Sequence, residues 1–344
     1  MTDPLSPSSN TTPGDSGQGS SAARIPAVGS SQSGAGGAPA GPVAASKPLA
    51  AVSSTRRRKP FPFHIIVFMA PAVIVYTAFM VIPLLDSLRL SLFDDGGGFV
   101  GLANFETLFN DPFWADQFWN ALKNNFIFFA FHFVVQNPVG LLLAVLLTVQ
   151  GVRGQNIYRT AIFIPTTLSV VIVGFIWRLI LSPLWGMIDT PLLGEADTVL
   201  PTLSLVSVWQ FVGIPMIFFY AVLIAIPVDL IEAARVDGAT GWQTFWRVTF
   251  PLILPILGII TIVTYVANFN AFDLIFTVKG ALAGPDFASD IMGTLFYRAF
   301  FGNQLSPGSS AMGATVASAM FLIILLGVLV YTFAWQRRVT TYEL

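Results

Sequence analysis

The sequence predicts an all-α membrane protein with six transmembrane helices. Of its 344 residues, 54% are hydrophobic and only 10% are charged, whereas soluble domains carry about 25% charged residues. The uncharged stretches are continuous and long, which favours helices over a β-barrel whose strands would alternate. Each of them is close to or above the roughly 20 apolar residues that a helix needs to cross the hydrocarbon layer. An ordinary soluble enzyme is therefore excluded.

Six uncharged stretches define the predicted spans in order. The third is the shortest, and it reaches span length because the stem of Arg178 can extend toward the headgroups. The predicted spans cover residues 62–86, 125–149, 160–182, 202–226, 251–273 and 313–336. The first span begins far from Met1, so it is predicted to be an uncleaved anchor, and residues 60–344 are predicted to form one transmembrane domain.

Residues 1–59 differ from the rest of the chain. They are rich in Ser, Gly, Ala and Pro and contain almost no large apolar residues. Such a segment cannot bury enough apolar surface to offset the entropy that its chain would lose on folding, so we expect a disordered tail.

Positive charges set the orientation of the spans. Basic residues at 56–59 abut the first span, and Arg337 and Arg338 follow the sixth. Both termini, and hence the tail, are therefore predicted to be cytoplasmic.

Charge and residue usage exclude several functions. The formal net charge is −1, which gives no support to nucleic-acid binding. The chain contains no cysteine and only two histidines, His64 and His132, so no metal site is predicted. Both histidines are expected at span ends with no role in transport. The pattern G-x-x-x-x-G-K-[ST] is absent from the sequence, so the chain cannot hold nucleotide phosphates by a P-loop.

The most informative segment is the polar stretch 229–250, between the fourth and fifth spans on the predicted cytoplasmic side. Its first part predicts a short helix, with Asp229 as the N-cap and Glu232 near the positive end. Gly238 and Gly241 end that helix, and a second short helix follows. Pro251 is predicted to begin the next span. Two short helices joined at glycines would protrude as a docking element. The alternative is an interfacial loop whose aromatic residues lie in the headgroup layer.

This segment carries a resemblance to a known family. The string EAARVDGATGWQTFWRVTFPLILP resembles the EAA loop of permease subunits of binding-protein-dependent ABC importers. Glu232, Ala233, Ala234 and Gly238 match the family pattern one for one, and Phe250 replaces the Leu of its Leu-Pro pair. The strings FMAPAVIVYTAFMVIPLLDSLRLSLF, GLANFETLF and NFNAFDLIFTV resemble carbohydrate permeases of the maltose and glycerol-phosphate type. The similarity covers nearly the whole chain beyond the tail.

The resemblance implies the type I ABC importer permease fold and a transport subunit rather than an enzyme. Such importers combine two homologous permeases, an ATP-binding cassette ATPase dimer and an external solute-binding protein. This chain would then hold no cofactor, because ATP and Mg²⁺ belong to the ATPase, and it would lie among the lipids of a bacterial or archaeal cytoplasmic membrane. The residues implied in coupling to the ATPase are Glu232, Ala233, Ala234, Asp237 and Gly238.

Polar side chains within the spans indicate where a solute could bind, because they are costly unless paired or facing a wet cavity. Thr264 and Asn268 share one face of the fifth span with Thr261, and the resemblance places the first two at the sugar site of the maltose type. In the fourth span a Gly/Pro interruption can expose backbone groups to a cavity. The candidates for the substrate path are Thr264, Asn268, Gln210, Trp209, Gly213 and Asn270.

Each of these candidates has a structural alternative. The polar groups of the fifth span could bond neighbouring helices, as is also expected for Gln136 and Asn137 in the second span. Trp209 could be an interfacial belt residue. Asn270 could pair with Asp273 near the outer end, three residues away.

The lead hypothesis is a permease for a sugar or oligosaccharide. The same architecture could import glycerol phosphate or another small polar solute, but a phosphate needs cations, and no Lys or Arg lies clearly within the fourth or fifth span. A secondary transporter would need buried carboxylates for ion coupling, and the predicted span interiors have none. A membrane scaffold would use residues 229–250 to bind another cytosolic partner.

Overall fold

The computed structural model describes residues 63–149, 153–185, 190–304 and 306–336, and its regular elements are helices. The predicted tail, residues 1–59, lies outside this part of the chain. The α-helices cover Phe63–Tyr76, Ile82–Leu90, Ala103–Asn110, Pro112–Phe131, Asn137–Thr148, Gln155–Thr167, Val170–Ile180, Ala196–Phe211, Gly213–Ala225, Val228–Val236, Gly241–Thr244, Phe250–Phe269, Asp273–Lys279, Met292–Phe301 and Ser310–Val330. A 3₁₀ turn covers Pro183–Trp185, and π-helical turns cover Thr77–Val81, His132–Gln136, Phe245–Thr249 and Tyr331–Gln336.

Four of the predicted spans are single helical segments, long and apolar enough to cross a membrane. They are Val67–Leu90, Pro112–Thr148, Gly241–Lys279 and Ser310–Ala334. The second begins well before the predicted residue 125, and the fifth begins before the predicted residue 251. Both spans start earlier than predicted because their first turns contain polar residues, and the prediction counted only the uncharged, apolar stretch as the span. In the second, Asp111 caps the helix by accepting hydrogen bonds from the backbone N–H groups of Phe113 and Trp114.

In three of these spans, a π-helical turn closely precedes a proline. A proline lacks the backbone N–H and clashes with the carbonyl one turn earlier, so it kinks or ends an α-helix unless the hydrogen-bond register changes. The turns end at Val81, Gln136 and Thr249, and Pro83, Pro138 and Pro251 each follow two residues later. The prediction that Pro251 starts a separate helix is therefore wrong, because the chain remains helical from Gly241 through it.

The third and fourth spans are broken helices. Gln155–Thr167 and Val170–Ile180 meet at 94°, so the continuous helix predicted over 160–182 is wrong, while Ala196–Phe211 and Gly213–Ala225 meet at only 43°. The backbone leaves the helix at Leu168 and Ser169. Gln210 satisfies the carbonyl freed there by donating a 3.1 Å hydrogen bond to Leu168 O.

The sharp break lies within a span that crosses the bundle, because its two arms pack at opposite ends. The first arm contacts Gly213–Ala225, in a cluster built around Ala144, Met216 and Ile260. The second arm contacts Asp273–Lys279, in a cluster built around Leu203, Ile275 and Ile291. By length and composition, the described part of the chain contains four single spans, or six, the predicted number, when each broken pair is counted as one span.

The loop before the sixth span is held by a buried ion pair outside the spans. Arg298 donates to both carboxylate oxygens of Asp290, at 3.1 and 2.6 Å, and to the Gln117 side chain and Ala281 carbonyl. The two side chains are 3% and 0% exposed. Burial raises the pKa of Asp290, and the hydrogen bond and charge of Arg298 oppose that rise. The pair ties the loop to the second span through Gln117.

A second carboxylate fastens the sixth span to the first loop. Asp95 accepts hydrogen bonds from the backbone N–H of Ala311 and from the Ser310 hydroxyl, at the first turn of Ser310–Val330. Hydrogen bonds from the Ala311 N–H and the neighbouring serines lower the pKa of Asp95. The negative charge at the positive end of the helix favours the same arrangement.

Candidate substrate cavity and coupling loop

A cavity of about 300 Å³ lies between the second, fourth and fifth spans. Most of its wall is apolar, with polar side chains on each of the three spans. The polar lining residues within these spans include His132, Gln136, Ser207, Thr264, Asn268, Asn270 and Asp273. A mostly apolar pocket with a few convergent polar groups is the usual form of a small-molecule site.

Three of the six candidates for the substrate path line this cavity: Thr264, Asn268 and Asn270. Thr264 Oγ1 donates a 3.4 Å hydrogen bond to Asn137 Oδ1, and Asn268 Nδ2 donates a 2.7 Å hydrogen bond to the Thr264 carbonyl. Asn270 is exposed and donates to the carbonyl of Val266 in its own helix at 2.8 Å. The fold thus brings these three candidates to one concave surface.

The other three candidates, all in the fourth span, have packing roles and do not belong to this lining. Trp209 packs edge-on against Trp177, with ring centroids 5.6 Å apart. A side chain at Gly213 would meet the Ile162 carbonyl at 2.9 Å, so this glycine allows the third and fourth spans to approach closely. Gln210 stabilises the break in the third span. Their predicted place on the path gains no support from the fold.

His132 was expected at a span end, and this expectation is wrong. The second span begins at Pro112, which places His132 well inside it, and its side chain is buried. Its Nδ1 lies 2.8 Å from the Phe128 carbonyl, and its Nε2 lies 2.9 Å from Ser207 Oγ in the fourth span. The signal that sequence analysis missed is the four-residue spacing of His132 and Gln136, two polar side chains on one face of an apolar helix.

Gln136 and Asn137 bond across helices, as predicted. Gln136 Nε2 donates a 3.4 Å hydrogen bond to the Phe211 carbonyl, and Asn137 accepts from Thr264.

Five buried side-chain nitrogen or oxygen atoms of the described residues have no hydrogen-bond partner. They are Gln136 Oε1, Asn137 Nδ2, Gln210 Oε1, Asn268 Oδ1 and Ser318 Oγ. Two of them, on Gln136 and Asn268, belong to side chains that line the cavity.

The first helix of the polar loop forms as predicted, but its start differs. Helix Val228–Val236 begins after Pro227 and has no side-chain cap, so the prediction of Asp229 as the N-cap is wrong. Its end is a Schellman motif, in which the Gly238 N–H donates to the Arg235 carbonyl and the Ala239 N–H donates to the Ala234 carbonyl. Gly238 adopts a φ of +83°, which glycine alone reaches without strain.

The second part of the loop leads directly into the fifth span. Thr240 and Gln243 form a capping box at the start of Gly241–Thr244, which continues through the π turn into Phe250–Phe269. The separate second helix that was predicted is therefore the first turn of the span. The loop exposes Glu232, Ala233 and Asp237, and Val236 is 87% exposed.

Comparisons with known proteins agree with this architecture. Residues 136–339 match the family model described as the binding-protein-dependent transport system inner membrane component. A probable starch degradation products transport system permease protein, AmyD of Thermoanaerobacterium thermosulfurigenes, is 31% identical, and the alignment covers 79% of this chain and 93% of AmyD. The sn-glycerol-3-phosphate transport system permease protein UgpA of Agrobacterium fabrum is 30% identical over 82% of this chain and 98% of UgpA.

A further relative and a solved structure extend the comparison. The lactose transport system permease protein LacF of Rhizobium radiobacter is 29% identical over 75% of this chain and 89% of LacF. The crystal structure of a bacterial alginate ABC transporter, in complex with an alginate pentasaccharide-bound periplasmic protein, contains a chain with a TM-score of 0.69 at 22% identity. That match covers 81% of this chain and 96% of the other, and it shows a shared fold.

The helical architecture and these matches define a multi-pass membrane transport subunit with the type I ABC importer permease fold. The chain belongs to the family of binding-protein-dependent transport system inner membrane components.

Proposed function

We propose that this chain is one of two permease subunits of an ATP-driven importer and forms half of the translocation path for a sugar or oligosaccharide. The observation that carries the proposal is the lined cavity between the spans, joined through the continuous fifth span to an exposed loop that matches the family's EAA pattern. An external solute-binding protein delivers the cargo, and a separate ATPase dimer, with its ATP and Mg²⁺, supplies the energy.

Coupling to the ATPase takes place at helix Val228–Val236. Glu232, Ala233 and Val236 are exposed on it, and the small side chain of Ala233 permits close approach of a partner surface. The Schellman motif at Gly238 fixes the direction in which the chain leaves the helix. Because the chain is helical without a gap from Gly241 through Phe269, a displacement of the loop is transmitted along the fifth span to Thr264 and Asn268. Coupling requires such an element with different contacts in its two states.

The loop is placed on the cytoplasmic side of a bacterial or archaeal cytoplasmic membrane, with both termini on that side. The excess of Lys and Arg near this end of the bundle supports the orientation. A second homologous permease covers the open side of the cavity, where Phe218, Ile259 and Val263 are each close to half exposed. The rest of the apolar exterior faces lipid.

The proposed cargo is a carbohydrate because AmyD and LacF are described as permeases for starch degradation products and for lactose. The cavity combines apolar walls with amide and hydroxyl groups, which suits a solute with an apolar face and a rim of hydroxyls. Glycerol phosphate remains the second candidate because UgpA is described as an sn-glycerol-3-phosphate permease.

The coupling proposal is tested by the Glu232→Lys variant of the purified assembly, reconstituted with its co-purified subunits. We expect basal ATP hydrolysis to persist and its stimulation by the loaded solute-binding protein to be lost, because the substitution reverses the charge at the docking surface. The matched control is Asn156→Lys, which introduces the same lysine side chain at an exposed position at the same end of the bundle, with a charge change of one unit against two for Glu232→Lys. Stimulation that survives Glu232→Lys as well as it survives Asn156→Lys would refute coupling at this helix.

A further inference from the structure

We propose that Arg178 and Lys279 bind the phosphate of an anionic phospholipid at the end of the bundle opposite the coupling loop. Arg178 belongs to Val170–Ile180, the second arm of the third span, and Lys279 belongs to Asp273–Lys279, the helix that ends the fifth span. An acyl chain of the lipid lies along the exposed apolar face of the second arm. The ligand is a membrane lipid and not the cargo, so the inference goes beyond the proposed transport function. Only its assignment to the outer leaflet rests on the orientation proposed above.

A close contact between helices brings the two basic residues together. The second arm packs against the helix that ends the fifth span, and a side chain at Gly174 would meet the Thr277 side chain at 3.2 Å. The glycine therefore lets the two helices approach closely at this point. Arg178 lies about one helical turn beyond Gly174, and Lys279 lies shortly beyond Thr277. The positive charge of Arg178 acts on the Lys279 side chain, which is what two neighbouring cations produce.

Neither cation has a carboxylate partner within the part of the chain that the structure describes, where both ion pairs involve other residues. Lys279 Nζ donates a 2.7 Å hydrogen bond to the Leu193 carbonyl, which holds the ammonium in place and leaves its other N–H groups available. Arg178 is exposed and has no hydrogen bond to the described residues. Its guanidinium therefore keeps the fork of donors that matches a phosphate. An anion between the two side chains would also remove their mutual repulsion.

The face of the second arm beside Arg178 suits an acyl chain. Its exposed apolar strip consists of Val171, Ile172, Phe175 and Ile176, each about half exposed. These residues share one face because they fall at i, i+1, i+4 and i+5 of the helix. Arg178 follows Phe175 by three positions and Val171 by seven, so it lies on the same face. The strip thus leads directly to a cation, in the order in which a lipid presents its tail and its phosphate.

The chain after Arg178 supports a position at the level of the headgroups. The helix ends at Ile180, and Trp185, in the following 3₁₀ turn, is 67% exposed. Exposed tryptophans beside the ends of spans lie among the headgroups. A carboxylate of a protein partner would compensate the two charges but would leave the apolar strip uncovered, so the combination favours a phospholipid. Because both groups of the site are cations, a headgroup without an ammonium group fits better than one that carries it.

The test compares two lipids at a single reporter on the strip. Because the chain contains no cysteine, Ile172→Cys gives it one thiol, to which a bimane fluorophore is attached. The full chain with its partners is reconstituted into vesicles with equal amounts of phosphatidylglycerol and phosphatidylethanolamine. Brominated acyl chains, which quench bimane on contact, are carried by the first lipid, by the second or by both. The ratio of the first two quenching values gives the relative occupancy of the strip, and the same assembly without the introduced cysteine supplies the background.

We expect phosphatidylglycerol to occupy the strip about fivefold more than phosphatidylethanolamine, since each basic residue near the surface attracts an anionic headgroup by a factor of this size. Arg178→Gln should lower this preference at least about threefold, and the double variant with Lys279→Gln should abolish it. Arg178→Lys keeps the charge and should retain most of the preference. The matched control is Arg89→Gln, which removes an exposed arginine at the same end that is already paired with Asp86, and it should change nothing.

Equal quenching by the two brominated lipids in the native chain would overturn the proposal, and so would a preference that the double variant leaves intact. Quenching with both lipids brominated should be the same in every variant and so reports an intact, lipid-exposed strip. If neither lipid quenches the native reporter, a protein covers the strip and the lipid site is refuted. Arg178→Gln would in that case identify a protein carboxylate as the partner if it weakened stimulation by the solute-binding protein. Quenching involves neither ATP nor cargo, so its outcome is independent of the Glu232 experiment.

Discussion

The Arg298→Met variant is expected to lose about 3–5 kcal/mol of folding free energy, the usual result of removing one partner of a buried ion pair. Asp290 would remain 0% exposed with Thr294 as its remaining side-chain partner. Burial raises the pKa of Asp290, and the charge of Arg298 opposes that rise. Without Arg298, the carboxyl group must either stay buried as an unpaired charge or take up a proton. The measurement is the free energy or midpoint of unfolding of the purified chain.

Two variants serve as controls for this expectation. Arg89→Met removes the arginine of an ion pair whose side chains are 66% and 56% exposed, and it should cost less than about 1 kcal/mol. The double variant Asp290→Leu with Arg298→Met replaces both charges by apolar groups and should recover most of the lost stability. If Arg298→Met proves no more harmful than Arg89→Met, the buried pair does not hold the loop before the sixth span.

The Gly238→Val variant is expected to reduce solute-stimulated ATP hydrolysis of the assembly at least about tenfold while leaving the spans folded. Gly238 has a φ of +83° within the Schellman motif that ends helix Val228–Val236, the proposed coupling helix. A β-branched residue is strongly disfavoured there, so the chain would leave the helix in another direction. The measurement is stimulated against basal ATPase activity, with the unfolding midpoint as a check on the spans.

A graded series separates backbone geometry from side-chain bulk at this turn. Gly238→Asn should retain more stimulation than Gly238→Ala, because asparagine tolerates positive φ better than alanine. Gly241→Ala is the matched control, since a side chain there would meet nothing within 4 Å and its backbone is not in the left-handed region. A Gly238→Val assembly with native stimulation would show that the coupling helix needs no fixed exit direction.

Six spans and the coupling helix could be predicted because both depend on local properties of the sequence. Long uncharged stretches determine the spans whatever their neighbours are. The helix Val228–Val236 and its end at Gly238 follow from a short motif in which glycine supplies the unusual φ. The capping prediction at Asp229 failed because Pro227 set the start of the helix two residues earlier than a side-chain cap would.

The breaks and continuities within the spans could not be predicted from local signals. The 94° break at Leu168 contains neither glycine nor proline, and its carbonyl is satisfied by Gln210 from another span. At Pro251 the opposite error arose. A proline suggested a boundary, but a π turn preserved the helix across it. Both outcomes depend on tertiary packing and on hydrogen-bond register, which the order of residues alone does not reveal.

The candidate site was predicted only in part, because polar residues within an apolar span can be recognised in the sequence but their tertiary contacts cannot. Thr264 and Asn268 were found because they interrupt an apolar span on one face. His132 was misjudged because the second span extends much further toward its N-terminus than its apolar core does. Gln210 was a candidate because it is a costly amide inside a span, but the structure pairs it with a broken backbone rather than with the cavity.

Photo-cross-linking from a single exposed position at each end of the bundle tests directly whether the ATPase docks at helix Val228–Val236. Val236→Cys and Leu184→Cys variants, at side chains 87% and 94% exposed, are each labelled with benzophenone maleimide and purified with their partners. We predict a covalent adduct between position 236 and the ATP-hydrolysing subunit, and none with that subunit from position 184. An adduct with the ATPase from 184 but not from 236, or a purified assembly without an ATP-hydrolysing subunit, would contradict coupling to an ATPase at helix Val228–Val236.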